Sequence, residues 1–220
     1  MARSVKTQKR RYRSRVREEQ ALATRERVLD AAYRLFVGRG YAATTIASVA
    51  AEAGVAPETI YVTFGSKRAL LEGVIDQTIM GPQAPVSLPE QLARSKVERL
   101  PTPRERLRAH VEFACGVLAR TSPVHAVIRG AADADGSLIA LRKRLLAERI
   151  ENNSVLRKYL AGGLRPGLTF TEAIERFVGL SSPEIHYLVT VDMGWTREQH
   201  CEWLFETASR DLLRPNDSEA

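Results

Sequence analysis

The chain has 220 residues, of which 44% are hydrophobic and 27% charged, so its composition is that of an ordinary soluble globular protein with one domain of good size or two small ones. Its formal net charge is +7. No apolar run approaches the roughly 18 residues of a membrane-spanning helix, and no apolar segment follows the charged N-terminus as in a secretory signal, so we expect a cytoplasmic protein.

The positive charge is concentrated at the N-terminus. Residues 1–17 contain eight basic residues and no acidic one, and subtracting these eight from +7 leaves −1 for the rest of the chain. We interpret residues 1–20 as a basic disordered arm, for which nucleic acid is the commonest partner. Charge alone leaves open a solvated tail that only improves solubility.

From residue 22 onward, apolar residues recur every three or four positions, which predicts helices. The first apolar stripe ends at Gly38 and Gly40. Hydroxyls of Thr44 and Thr45 then suit the start of a short helix that stops at Gly54.

A further short helix is predicted from Pro57 to Phe64, although four of its residues are β-branched and form helices poorly. Two short helices joined by a turn have the size of a helix-turn-helix, whose second helix enters the DNA major groove. Such a helix is held by packing, so we expect Ile60 and Phe64 to face inward and the short side chains to face the groove.

A family resemblance is carried by residues 24–74, TRERVLDAAYRLFVGRGYAATTIASVAAEAGVAPETIYVTFGSKRALLEGV. The segment closely resembles the DNA-binding domain of TetR-type transcriptional regulators, which we place at residues 21–81. The marks of the resemblance are Arg39-Gly40-Tyr41, Thr44-Thr45-Ile46, Val49-Ala50, Ala53-Gly54-Val55, Thr59-Ile60-Tyr61, Phe64 and Ser66-Lys67. The resemblance implies an all-α homodimer that binds a palindromic operator, usually represses, and releases DNA when a small molecule enters the C-terminal domain.

The resemblance also implies which residues meet DNA. Thr45 is expected to bond a backbone phosphate, and the Tyr61 hydroxyl and the Lys67 ammonium to hold phosphate. The bland alternatives are a packed core aromatic for Tyr61 and a solvated helix-start lysine for Lys67. The other expected DNA-facing positions are Ala47 and Ser48 in the first helix of the motif, and Pro57, Glu58, Thr59, Val62 and Thr63 in the recognition helix.

The segment departs from the family pattern at several positions. Ala56 stands where the family often has a capping Ser or Thr, which costs about 1 kcal/mol if nothing replaces the cap. Glu58 either accepts from a cytosine amino group or complements the helix N-terminus. No Arg, Asn or Gln is present for bidentate base readout, so we expect specificity to rest on apolar contacts, DNA shape and the arm. The arm residues expected to follow the backbone or enter a minor groove are Arg10, Arg11, Arg13, Arg15 and Arg17.

The second half of the chain is predicted to be helical as well, giving about nine or ten helices in total. Five prolines in residues 82–103 predict a linker, followed by a ligand-binding and dimerisation domain at 104–214 and a tail at 215–220. A short helix is expected to start after Ser122-Pro123. Further helix starts are predicted from a capping box at Thr169, an N-cap with a following proline at Ser182, and a capping box at Thr196.

Interface and ligand residues in this half are less sharply defined. In the family, the last two long helices pair with their twofold mate, so the candidates for the dimer interface are Phe177, Ile185, Leu188, Trp203, Leu204 and Leu212. Intramolecular core is the equal alternative, because both roles require apolar stripes. The candidates to line a ligand pocket are His110, Phe113, Cys115, His125 and Arg129. A regulator that binds no ligand is the alternative.

No cofactor or metal is predicted. The two cysteines, Cys115 and Cys201, lie far apart and outside metal-ligand spacing, which favours reduced thiols. The four histidines are scattered, there is no glycine-rich phosphate loop, and no nucleophile arrangement is evident, so an enzyme is not expected. Beside a ligand-responsive repressor, an activator or a non-specific nucleoid-type DNA binder that uses the basic arm remains as an alternative.

Overall fold

The computed structural model describes residues 3–81, 86–132 and 135–215, with side chains from residue 17 onward except those of residues 89 and 93. Over these ranges the chain is all-α, as predicted, and nine of its helices have eight or more residues. None of the described helices is long and apolar enough to cross a membrane. The helices are α1 (Arg3–Ala43), α2 (Ile46–Ala53), α3 (Pro57–Phe64), α4 (Lys67–Met80), α5 (Leu88–Ser95), α6 (Pro103–Ala131), α7 (Gly136–Asn152), α8 (Leu156–Tyr159), α9 (Phe170–Leu180), α10 (Pro183–Tyr187) and α11 (Arg197–Leu212).

The chain divides into two compact units, residues 1–76 and 77–220. In the first unit, α1 to α4 bury the apolar stripes that the spacing predicted. The largest fully buried side chains there are Phe36, Ile60, Leu70, Leu71 and Ile75. Helix α3 lacks a capping hydroxyl, as predicted. Its N-cap residue, Ala56, makes no side-chain hydrogen bond, and Pro57 follows at the first helical position.

Helix α1 begins at Arg3, so the predicted disorder of residues 1–20 does not hold for residues 3–20. This segment contains neither proline nor glycine and is rich in Arg, Lys, Gln and Glu, which form helices readily. The helix that the core holds from Val28 onward can therefore extend towards the N-terminus.

The C-terminal end of α1 is closed by Thr44. Gly40 interrupts the helix with a φ of 80°, a left-handed value that favours glycine. The buried hydroxyl of Thr44 lies 2.8 Å from the carbonyl oxygen of Gly40 and 3.1 Å from that of Leu35. Thr45 alone is therefore the N-cap of α2, while Thr44 satisfies carbonyls that the end of α1 leaves without helical partners.

The segment predicted as a proline-rich linker, residues 82–103, contains helix α5 and a short 3-10 turn at Val97–Arg99. Pro89 lies in the first turn of α5 and Pro103 at the first position of α6. The backbone N–H that proline lacks would have no helical partner at these positions. Leu92 and Val97 are buried. This part of the chain therefore belongs to the second unit.

Helix α6 continues through Pro123, so the separate helix expected after Ser122-Pro123 does not form. A proline inside a helix removes one backbone hydrogen bond. The neighbours of Pro123 offset that loss by burial, because Ser122 is 2% exposed and Val124 is fully buried. All three later helix starts form as predicted: the N-cap side chains of Thr169, Ser182 and Thr196 each accept a backbone N–H from the first turn.

Three of the candidates for the dimer interface lie instead in the core of the second unit. Phe177, Leu204 and Leu212 are fully buried within it, since α9 and α11 place these residues against α6 and α8. The other three are accessible: Leu188 is 50% exposed, and Ile185 and Trp203 are half-buried.

The two cysteines are not free thiols, contrary to expectation. Cys115 of α6 and Cys201 of α11 form a disulfide, with Cα atoms 6.1 Å apart. Their separation of 86 residues hid the pairing, because only tertiary packing brings the two helices together.

We expect Thr44→Val to lower the free energy of unfolding by about 1–3 kcal/mol, because the isosteric change removes the hydrogen that the carbonyls of Leu35 and Gly40 share. Urea denaturation measures this. Thr63→Val is the matched control, since the Thr63 hydroxyl is exposed and bonds its own helix at the Thr59 carbonyl, so a loss of less than about 0.5 kcal/mol is expected. Equal losses in the two variants would contradict this role for Thr44.

Candidate nucleic-acid interface

Helix α2 is fixed at both ends by local hydrogen bonds. The Thr45 hydroxyl oxygen accepts the Ser48 N–H at 3.0 Å, and the Ser48 hydroxyl accepts the Thr45 N–H at 3.1 Å, which is a reciprocal capping box. At the other end Gly54 adopts a φ of 67° and turns the chain towards α3. Thr45 thus keeps its hydroxyl hydrogen as a group that can meet a phosphate.

Helix α3 buries one side chain deeply and presents the others. Ile60 is 1% exposed, as predicted, and Phe64 is half-buried, with the Arg25 guanidinium 4.5 Å from its ring centre. Val62 is 89% exposed and Tyr61 is 55% exposed, so Tyr61 is not a packed core aromatic. Five of the remaining candidates for DNA contact are exposed: Thr45, Ala47, Glu58, Thr59 and Thr63. Three are half-buried: Ser48, Pro57 and Lys67.

Lys67 makes hydrogen bonds within the first unit. Neither the expected phosphate contact nor the alternative of a solvated lysine included these bonds. Its ammonium donates to the carbonyl oxygens of Tyr41 at 3.0 Å and Thr44 at 3.1 Å, and lies 4.2 Å from the centre of the Tyr41 ring. An ammonium has three hydrogens, so one remains for a phosphate. The contact also joins the start of α4 to the end of α1 and to Thr44, which follows it.

The described part of the first unit supplies little positive charge. Residues 17–76 contain seven basic and eight acidic residues, and two of the basic ones are paired, Arg34 with Glu52 at 3.1 Å and Arg68 with Glu72 at 2.9 Å. Glu58 is the one charged residue of α3. The basic excess therefore lies in residues 1–16. Of the arm candidates Arg17 is exposed on α1, and Arg10, Arg11, Arg13 and Arg15 lie outside the described side chains.

The second unit contains a cavity of about 90 Å³ between α6, α7 and their neighbours. Three of the ligand-pocket candidates, His110, Phe113 and His125, line it. Cys115 faces α11 instead, and Arg129 is exposed near the end of α6, so neither lies at this cavity. Most of the wall is apolar, and further polar groups come from Thr121, Glu148, Arg149, Asn152, Asn153 and Ser181.

The protonation of His110 follows from its neighbour. Asn153 donates its side-chain N–H to the Arg149 carbonyl at 2.8 Å, which turns its amide oxygen towards His110. That oxygen lies 2.8 Å from His110 Nε2, so Nε2 carries the hydrogen. Nδ1 is left as a buried acceptor without a partner.

Burial lowers the pKa of His110 to about 4, although the hydrogen bond to Asn153 acts in the opposite direction. Burial also lowers the pKa of His125 to about 4. The cavity wall is therefore neutral at both histidines near pH 7. Neither Arg149 of α7 nor Asn153, the residue after α7, was predicted from the sequence, because nothing local shows which side of α7 packs on α6. Among the described residues no group of three or more metal-ligating side chains that could hold a metal is present.

Residues 28–74 match the family model of bacterial regulatory proteins of the tetR family. The N-terminal segment is a tetR-family DNA-binding domain. It is 43% identical over 54 residues to an uncharacterised helix-turn-helix transcriptional regulator, YvkB, of Bacillus subtilis, and the match covers 24% of this chain and 29% of that protein. The chain thus matches less than a third of the length of the curated relatives.

Solved structures extend the likeness in fold beyond this tetR-family domain. NalD of Pseudomonas aeruginosa, the secondary repressor of the MexAB-OprM multidrug efflux pump, superposes with a TM-score of 0.63 at 18% identity, over 89% of this chain and 100% of NalD. A TetR-family regulator of Syntrophomonas wolfei gives a TM-score of 0.68 at 16% identity, over 85% and 93% of the two chains. At these identities the likeness establishes a shared fold.

We expect stability to fall between pH 6.5 and pH 4 partly through His110. The unfolded chain binds a proton there near the ordinary pKa of 6.5, and the folded chain does not until about pH 4, so the unfolding free energy drops as pH falls. The full difference is worth roughly 3 kcal/mol. His110→Gln keeps a donor for Asn153 and does not titrate, so urea unfolding at pH 7.0, 5.5 and 4.5 should give it a shallower dependence. Equal pH slopes would refute this origin.

Proposed function

We propose that this protein is a sequence-specific DNA-binding transcriptional regulator, acting as a homodimeric, ligand-responsive repressor on a palindromic operator in the bacterial cytoplasm. The observation that carries the proposal is the outer face of α3, in a tetR-family domain, where Thr59, Tyr61, Val62 and Thr63 are all exposed while Ile60 anchors the helix. Exposed apolar side chains on a short, well-anchored helix are costly in water and suit a groove. A regulator rather than an enzyme is the function that these features support.

The chemistry of α3 favours a readout based on methyl groups and shape. Val62 and the threonine methyls can contact thymine methyls, while hydroxyls of Thr59 and Tyr61 can bond bases or phosphates. Glu58, in the first turn, favours the helix end electrostatically and disfavours nearby phosphates. Affinity must then come largely from Thr45, Lys67 and the basic residues before residue 17.

Selection from a randomised duplex pool at near-physiological salt tests this function. Sequencing of the bound fraction should reveal a palindrome with half-sites about one helical turn apart or a little more. Binding without enrichment would instead support the non-specific, arm-driven alternative. Transcription from a promoter that carries the enriched site then separates repression from activation.

We expect Tyr61→Phe to weaken binding to the selected duplex roughly five- to tenfold, by loss of one hydroxyl bond to a phosphate. The loss should be equal for operator and unrelated duplex, because a phosphate contact carries no base information. Tyr187→Phe, a half-buried tyrosine of α10, is the control and should bind normally. A change in base preference, with no general loss, would show that Tyr61 reads bases.

The effector proposal rests on the cavity and on Arg120 of α6. Arg120 donates to the carbonyl oxygens of Thr78 at 3.0 Å and Ile79 at 3.1 Å, in the last turn of α4, where carbonyls lack partners within the helix. Val117 and Thr121, on either side of Arg120 in α6, line the cavity. A ligand that fills the cavity can therefore shift the residue that holds the end of α4, and α4 starts at Lys67 in the DNA-binding domain.

Homodimerisation is proposed through an apolar surface at α10 and the turn after it. Leu188, Val191 and Met193 are each at least half exposed, and Ile185 is half-buried beside them. Exposed apolar clusters of this kind mark interaction sites.

We expect Leu188→Glu to raise the dimer dissociation constant roughly tenfold or more, because it buries a carboxylate at an apolar contact. Sedimentation over a concentration series measures this. Leu146→Glu in α7 is the matched control, since Leu146 is 48% exposed against 50% for Leu188. An unchanged dimer in the Leu188 variant, or equal weakening in both, would place the interface elsewhere.

A further inference from the structure

The two cysteines of the chain can pair only with each other within one molecule. Cys115 lies in α6 and Cys201 in α11, and their Cα separation of 6.1 Å is within the usual range for a disulfide, so pairing requires no rearrangement of the helices. Disulfides in cytoplasmic proteins are commonly transient and sense oxidants. A single disulfide in a protein proposed to act on DNA in the cytoplasm therefore suggests a reversible bond.

The two sulfur positions differ in access. Cys115 is fully buried, whereas Cys201 is half-buried and lines a surface depression. Arg108 and Arg197 border that depression, and so do three carboxylates, those of Glu112, Glu198 and Glu202. An anionic oxidant would gain little there, so an uncharged hydroperoxide is the better match.

A pair of histidines adjoins the buried sulfur. His200 Nδ1 lies 3.9 Å from Cys115 Sγ and 3.1 Å from Nδ1 of His186. Burial lowers the pKa of both histidines, so they are neutral bases near pH 7. His200 Nε2 is buried without a partner. In the tautomer that carries its hydrogen on Nε2, His200 is placed to take the proton of a Cys115 thiol at Nδ1.

We propose that Cys115 and Cys201 form a reversible oxidation site for hydroperoxides, in which Cys201 reacts first and Cys115 closes the disulfide between α6 and α11. The Cys201 thiolate attacks the terminal peroxide oxygen, the O–O bond breaks, and an alcohol leaves with the thiol proton, which gives a sulfenic acid. Cys115, deprotonated through His200, then attacks the Cys201 sulfur, the S–O bond breaks, and hydroxide leaves as water with that proton. Two thiols and one hydroperoxide become a disulfide, an alcohol and water.

Thiol counting on the purified full-length chain tests the proposal without DNA, so it can fail independently of the regulatory function. The chain is reduced with dithiothreitol, desalted, exposed to stoichiometric tert-butyl hydroperoxide and alkylated for intact mass. We expect two alkylated thiols before oxidation, none after it, and two again after dithiothreitol. Thiols that stay free after oxidation, or a reduced chain that retains one equivalent of zinc with both thiols protected, would overturn the proposal.

Single variants test the order of the two steps. Cys115→Ser should stop at a Cys201 sulfenic acid that dimedone traps, and Cys201→Ser should leave a Cys115 thiol that reacts at least about tenfold more slowly. Trapping at Cys115 instead would overturn the order. His200→Gln should slow disulfide closure about tenfold or more, and closure at the wild-type rate would show that His200 does not take the Cys115 proton.

The wild-type chain alone gives a measurement that does not depend on any variant folding. Oxidised protein should unfold at a midpoint roughly 5 °C or more above reduced protein, because the bond links residues 86 apart. Identical midpoints, with the thiol count changed as expected, would show that the bond forms without constraining α6 and α11, which contradicts the proposed link.

Discussion

Helix α3 depends on contacts outside itself. It has eight residues, an N-cap without a capping side chain and four β-branched residues, so its own propensity for helix is low. Ile60 is the one buried residue of α3, and it joins the helix to the core of the first unit. Phe64 and Pro57 are half-buried, so the exposed residues of α3 are the ones left for the proposed contact with DNA.

The junction of α1, α2 and α4 gives that helix a fixed support. Thr44 binds the last carbonyls of α1, and Lys67 binds the carbonyls of Tyr41 and Thr44 from the start of α4. Both residues belong to the motif by which the sequence resembles the TetR-type domain. Thr44 has a structural role, whereas Lys67 combines a structural role with its proposed phosphate contact. Sharing a residue with a family therefore does not by itself establish what that residue does.

Local signals predicted local structure well, and failed where packing decides. The caps at Thr45, Thr169, Ser182 and Thr196 formed because each is a hydrogen bond within one turn. Pro123 stayed inside α6 because burial of its neighbours outweighs one lost bond, which no local pattern reveals. Half of the interface candidates proved to be core, since an apolar stripe looks the same in both places.

The candidate site divides in the same way. The exposed positions of Tyr61 and Val62 were expected from the family resemblance. The cavity required α7 to meet α6, and the disulfide required α11 to meet α6. Helix α6 is thus common to both: His110 and Thr121 line the cavity, Arg120 binds the end of α4, and Cys115 is the residue that closes the proposed disulfide. The proposed ligand and the proposed oxidation would therefore both act on α6, and any coupling between them is reciprocal. If oxidation changes the affinity of the cavity for a ligand, the ligand must change the ease of oxidation by the same factor.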